Sequence, residues 1–86
     1  MTIAEISRAY PDLLLIDGHE SALVGLAVVD GVERLVYDAG VVIENLVRQG
    51  MSREEAVEFY EFNIEGAYVG ERTPVMVHML EQASGE

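Results

Sequence analysis

The apolar and polar positions of the chain fall into short elements separated by turn residues. Thr2 to Tyr10 predicts a first helix, because Thr2 and Glu5 have capping-box spacing and Pro11 stops it. Leu13 to Ile16 is a continuous apolar run, too short for a helix, and predicts a buried strand. Asp17 to Ser21 is a polar loop, and Ala22 to Val29 predicts a second strand. Asp30-Gly31 is a two-residue hairpin signal, so Val32 to Tyr37 is the return strand. That loop pairs Val29 with Val32, hence Leu26 with Leu35 and Val24 with Tyr37, on an apolar core face. The opposite face carries Leu23, Gly25, Ala27, Arg34 and Val36, a mixed surface.

Asp38 is placed to cap a helix from Ala39 to Gln49, with Gly50 as its left-handed stop. On that helix Val42, Ile43, Leu46 and Val47 share one arc, and Glu44, Asn45, Arg48 and Gln49 share the other. Ser52 and Glu55 form a second capping box, opening a longer helix from Arg53 to Ala67. Gly66 and Gly70 bracket an irregular exit, and Thr73-Pro74 leads into a last strand from Val75 to Leu80. The order α, β, β, β, α, α, β predicts an α+β fold. A small antiparallel sheet of three to four strands would carry a two-helix hairpin on one face and a short N-terminal helix. The chain reads as a single domain over residues 1–86, with 81–86 as a loose C-terminal tail.

The longer helix carries an unusual stripe. With Glu54 at zero, Glu58, Glu61 and Glu65 fall at about 40°, about −20° and about 20°, a strip about 16 Å long. Like charges at these spacings repel by a few tenths of a kcal/mol per pair, and only Arg53 lies near to offset them. A basic partner would relieve the repulsion and be steered by it. Phe62, at about 80°, sits beside the stripe as a candidate apolar anchor. Asn63 falls inside the apolar arc, where a buried amide must find a hydrogen-bond partner, and is expected to tie the Gly66 to Gly70 exit to the helix.

Composition sharpens this. Among 86 residues there are 16 Asp and Glu against 5 Arg, with no Lys, for a net charge of −11. Half the residues are hydrophobic, which separates the chain from a disordered acidic tail. Direct nucleic-acid binding is excluded, since phosphate contacts need clustered Lys or Arg. Without Cys there is no disulfide and no thiolate metal site. No apolar run approaches the ~20 residues of a membrane span, and Met1 to Glu5 lacks the pattern of a signal peptide, so a cytoplasmic location is expected.

Catalytic chemistry finds little support in these residues. His19 with Asp17 and Glu20, and His78 further on, match no metal-ligand spacing. There is no nucleophile elbow around Ser21 and no Gly-rich phosphate loop. The expectation is a non-enzymatic chain with no catalytic residue, no metal and no cofactor.

The segments Gly50-Met51-Ser52-Arg53-Glu54-Glu55-Ala56, Glu61-Phe62-Asn63, Gly66-Ala67-Tyr68-Val69-Gly70-Glu71 and Thr73-Pro74 resemble a family of small uncharacterised proteins of tailed phages and prophages. Asp17-Gly18, Tyr37-Asp38 and Ile43-Glu44 fit the same pattern; Val75-Met76 departs from it, standing where the family often has an aromatic residue. The resemblance implies an accessory gene of a phage or mobile element acting inside a bacterium, and brings no catalytic residue with it. Together with the stripe it leads to a working expectation: an acidic interaction protein that binds a basic, nucleic-acid-handling host protein through Glu54, Glu58, Glu61 and Glu65, with Phe62 as anchor. Its concrete form would be an anti-CRISPR or other anti-defence inhibitor that mimics nucleic-acid charge. The alternative is a homo-oligomeric accessory protein whose acidity serves solubility, suggested by Leu23, Val29 and Val36 on the second sheet face.

Overall fold

The computed structural model describes residues 2–80, so the tail expected at 81–86 lies outside the described residues. Helix α1 (Ile3–Ala9) starts at Thr2, whose side chain and backbone exchange hydrogen bonds with Glu5 as the capping box requires. A single 3-10 turn (Glu20–Ala22) leads into strand β1 (Leu23–Val29), and β2 (Val32–Asp38) returns beside it. Asp30 and Gly31 both have positive φ, 51° and 79°, the geometry whose twist matches a two-residue hairpin.

The register agrees with the sequence reading at Val29–Val32 and Leu26–Leu35, but departs from it at the far end. A bulge between Leu23 and Gly25 puts Leu23, not Val24, opposite Tyr37. The extra residue shifts Leu23 onto the core and leaves Val24 53% exposed.

Asp38 closes β2 and caps α2 (Ala39–Arg48) with no intervening loop, its Oδ1 accepting from the Val41 amide at 3.3 Å. Gly50, at φ 112°, ends α2, and Met51 N–H bonds back to the Leu46 carbonyl at 3.3 Å. Helix α3 (Arg53–Tyr60) opens on the Ser52–Glu55 box. Beyond Tyr60 the chain widens into a π-turn (Glu61–Glu65), in place of the straight helix to Ala67 that the periodicity predicts.

Strand β3 (Val75–Val77) pairs with the end of β2, Val36 with Val75 and Asp38 with Val77. The pairing is parallel, so the sheet, in order β1-β2-β3, is mixed rather than wholly antiparallel. Helices α2 and α3 form the crossover that a parallel pair needs. The Leu13 to Ile16 run is not a strand. It turns Leu13 and Ile16 onto the core, leaves Leu15 48% exposed, and passes its Ile16 amide to the Tyr37 hydroxyl at 2.9 Å.

The core gathers Ile6, Ala22, Leu35, Tyr37, Ala39, Val42, Leu46, Ala56 and Tyr60 between sheet and helices. Each large side chain here contributes about 1.5–3 kcal/mol of burial. This is a small α+β fold with two helices packed on a three-stranded sheet and a short N-terminal helix.

Candidate protein-interaction face

The face is built on α3 and the π-turn that follows it. Ala56 and Tyr60, one helical turn apart, are buried and anchor α3 to the core. Glu54, Glu58 and Glu61 are therefore held on the wet side, and all three are exposed. Glu55 serves the cap: bonds from the Ser52 backbone and hydroxyl hold its carboxyl below the ordinary range.

The π-turn changes the last quarter of the expected stripe. Its hydrogen bond runs from the Gly66 amide to the Glu61 carbonyl at 3.2 Å, so five residues fill a turn. Gly66 has no room for a side chain without adjustment, since a Cβ there would stand 3.1 Å from the Glu61 carbonyl oxygen. The extra residue rotates Asn63 out of the apolar arc, where it is exposed rather than buried. The expected tie from Asn63 to the exit loop is replaced by Thr73, whose hydroxyl donates to the Gly70 carbonyl and accepts from the Val69 amide.

Glu65 leaves the stripe as well. Its Oε1 accepts from the Tyr60 hydroxyl at 2.9 Å and lies 2.8 Å from His78 Nε2, with the His78 ring edge-on to Tyr60. The His78 contact, then the Tyr60 bond, holds the Glu65 carboxyl below its ordinary range. Burial and the same carboxylate push the Tyr60 phenol up. Glu65 is thus a connector between the π-turn and the segment after β3. Its folded pKa lies below the unfolded one, so its contribution is present above the unfolded pKa and lost as pH falls through the folded value. Glu65→Gln is expected to lower the urea midpoint at neutral pH and to flatten its decline between about pH 5 and about pH 3. An unchanged decline would show that acid sensitivity arises elsewhere.

Phe62 is 77% exposed and Phe59 40%, although Phe59 adjoins the buried Tyr60 in sequence. Met51, Glu55, Glu58, Phe59, Phe62 and Asn63 line an open cleft of about 350 Å³. Sequence reading found Phe62 and missed Phe59; the Phe59-x-x-Phe62 spacing, two aromatics on one helical ridge, was the available signal. The helix therefore presents exposed Glu54, Glu58 and Glu61, with Glu58 bordering a slot of mixed polarity flanked by two aromatic rings. Its carboxylates and rings are suited to a cationic or amphipathic side chain.

The histidines are accounted for. His19 is 6% exposed, and its Nδ1 lies 3.2 Å from the Asn45 amide nitrogen, which also donates to Ser21 at 3.1 Å. Asn45, expected on the wet arc of α2, is buried because that helix packs against the 3-10 turn as well as α3. Among the described residues no group of three His, Asp or Glu is placed to hold a metal ion, and no helix is long and apolar enough to cross a membrane.

The chain matches no family model, no curated protein and no solved structure.

Proposed function

We propose that this protein is a non-catalytic acidic docking module that binds a basic, nucleic-acid-handling protein and occludes it. The observation that supports the reading is the Phe59–Phe62 cleft, into which Glu55 and Glu58 project, on a helix whose Glu54 and Glu61 are also exposed. The carboxylates would steer and register a positive surface, and the aromatic cleft would take an Arg or Lys stem, a geometry suited to cation–π contact. With the resemblance to small phage proteins, the reading extends to an inhibitor of a bacterial defence nuclease, such as an anti-CRISPR, acting in the bacterial cytoplasm without a cofactor. Glu65, tied to Tyr60 and His78, plays a structural part in this revised site.

The test begins with tagged protein in lysate of the bacterial host at low and high salt, the captured partner being identified and then measured in purified form. The triple change Glu54→Gln, Glu58→Gln and Glu61→Gln is expected to weaken that complex about tenfold at low salt and to flatten its salt dependence. Phe62→Ala is expected to speed dissociation with little change in association rate. A complex indifferent to both changes, with the fold intact, would overturn the assignment of this face.

A further inference from the structure

We propose that β1 is a homodimerisation edge, pairing antiparallel with β1 of a second copy about a two-fold axis at Ala27. In the sheet order β1-β2-β3, one side of β1 faces no other strand among the described residues. The two-residue turn makes Val29 and Val32 a hydrogen-bonded pair, so Gly25 and Ala27 also direct their backbone groups toward β2. Leu26 and Val28 then direct theirs outward, and among the described residues no backbone group pairs with them.

This edge lacks the usual protections against strand addition. Leu23–Val29 contains no charged residue and no Pro. Its bulge lies at the Val24 end and leaves Gly25 to Val29 in regular register with β2. The opposite edge is different: β3 has only 3 residues and follows Pro74.

Charge selects the occupant. Two copies of a chain with net charge −11 repel each other wherever carboxylates face. On the outer face, Val29 and Val32 share a pocket with Arg34, Asp30, Tyr68 and Glu71, so the carboxylates nearest β1 on this face have a cation among them. Glu33, which stands opposite Val28 on the other face, is bonded to Arg72 at 3.2 Å. The edge is also self-complementary. A two-fold at Ala27 sets Leu26 against Val28 of the second copy, Gly25 against its Val29, and the two small Ala27 side chains against each other. Val28, 65% exposed in the single chain, gains an apolar cover. The two sheets become one six-stranded sheet.

The absence of Cys supplies a direct test. Facing residues of a non-hydrogen-bonded antiparallel pair have Cα atoms about 4.5 Å apart, within the disulfide range. Ala27→Cys, incubated with oxidised glutathione, is expected to form a covalent dimer at least about tenfold faster than Phe62→Cys, an exposed control on the acidic face. Sedimentation equilibrium of the unaltered chain should give twice the 9.5 kDa mass. Val28→Lys should return it to monomer with an unchanged circular dichroism spectrum. Added salt should tighten this dimer by screening like charges, whereas it weakens a complex with a basic partner, so the two readings fail separately. A monomer at every concentration, or an Ala27→Cys chain that cross-links no faster than the control, overturns the proposal. So does a folded Val28→Lys protein that stays dimeric.

Discussion

Tyr37→Ala is expected to leave the chain without cooperative folding. Tyr37 is fully buried, stands at the centre of the core and lies in the only strand paired on both sides among the described residues. Removing a buried aromatic ring costs about 3–5 kcal/mol in lost burial and residual cavity. A single thin core of this size supplies about 5 kcal/mol in total at the low end of the usual range. The hydroxyl carries a second, separable part. It accepts the Ile16 amide at 2.9 Å and so substitutes for the strand partner that the Leu13 to Ile16 run lacks. Burial holds this phenol above its ordinary value in spite of that amide, so it stays a neutral acceptor at any working pH. Tyr37→Phe keeps the ring and removes the acceptor, and should cost about 1–2 kcal/mol. Urea unfolding followed by circular dichroism measures both. A Tyr37→Ala chain that unfolds in a sharp transition, or a Tyr37→Phe chain as stable as the parent, would contradict this account.

Asn45→Ala is expected to cost about 2–3 kcal/mol, more than a typical substitution at a polar helix position. The Asn45 amide links α2 to the loop before β1 through His19 Nδ1 and Ser21 Oγ. Taking it away strands a buried imidazole nitrogen and opens a gap between His19 and Ser21. The discriminating variant is His19→Leu combined with Asn45→Leu. Replacing both polar partners by apolar groups removes the unsatisfied nitrogen, so the pair should recover more than half of the single-site loss. Recovery of nothing would mean that packing, not hydrogen bonding, sets the role of position 45.

These two positions also mark where the sequence was and was not legible. Local signals were sufficient where the chain's own neighbours decide the structure: the Thr2 and Ser52 capping boxes, the Asp30-Gly31 hairpin, the Asp38 cap and the Gly50 stop all stand where turn and cap chemistry place them. What failed was decided by distant contacts. Asn45 reads as wet because α2 alone would leave it wet; the turn that covers it comes 24 to 26 positions earlier. Leu13 to Ile16 reads as a strand because nothing local reveals that a tyrosine hydroxyl takes its amide. The direction of β3 depends on how the helix pair crosses the sheet, which periodicity does not encode. The candidate face was half legible: Glu54, Glu58, Glu61 and Phe62 are exposed as expected, while the widened turn withdrew Glu65 and released Asn63.

That widened turn divides the helix into two parts with different tasks. Residues up to Tyr60 answer to the core, whose demands fix their spacing. Residues 61–65 form a turn with one residue more than an α-helix needs. Ile64 in this turn still packs against the core and Glu65 bonds Tyr60 and His78, so loss of one residue would have to re-form those contacts while Ala56 and Tyr60 stay in place. A single codon gained or lost in this turn would therefore change the exposed Phe62 and Asn63 and the Glu65 connector together, a larger step than any one substitution.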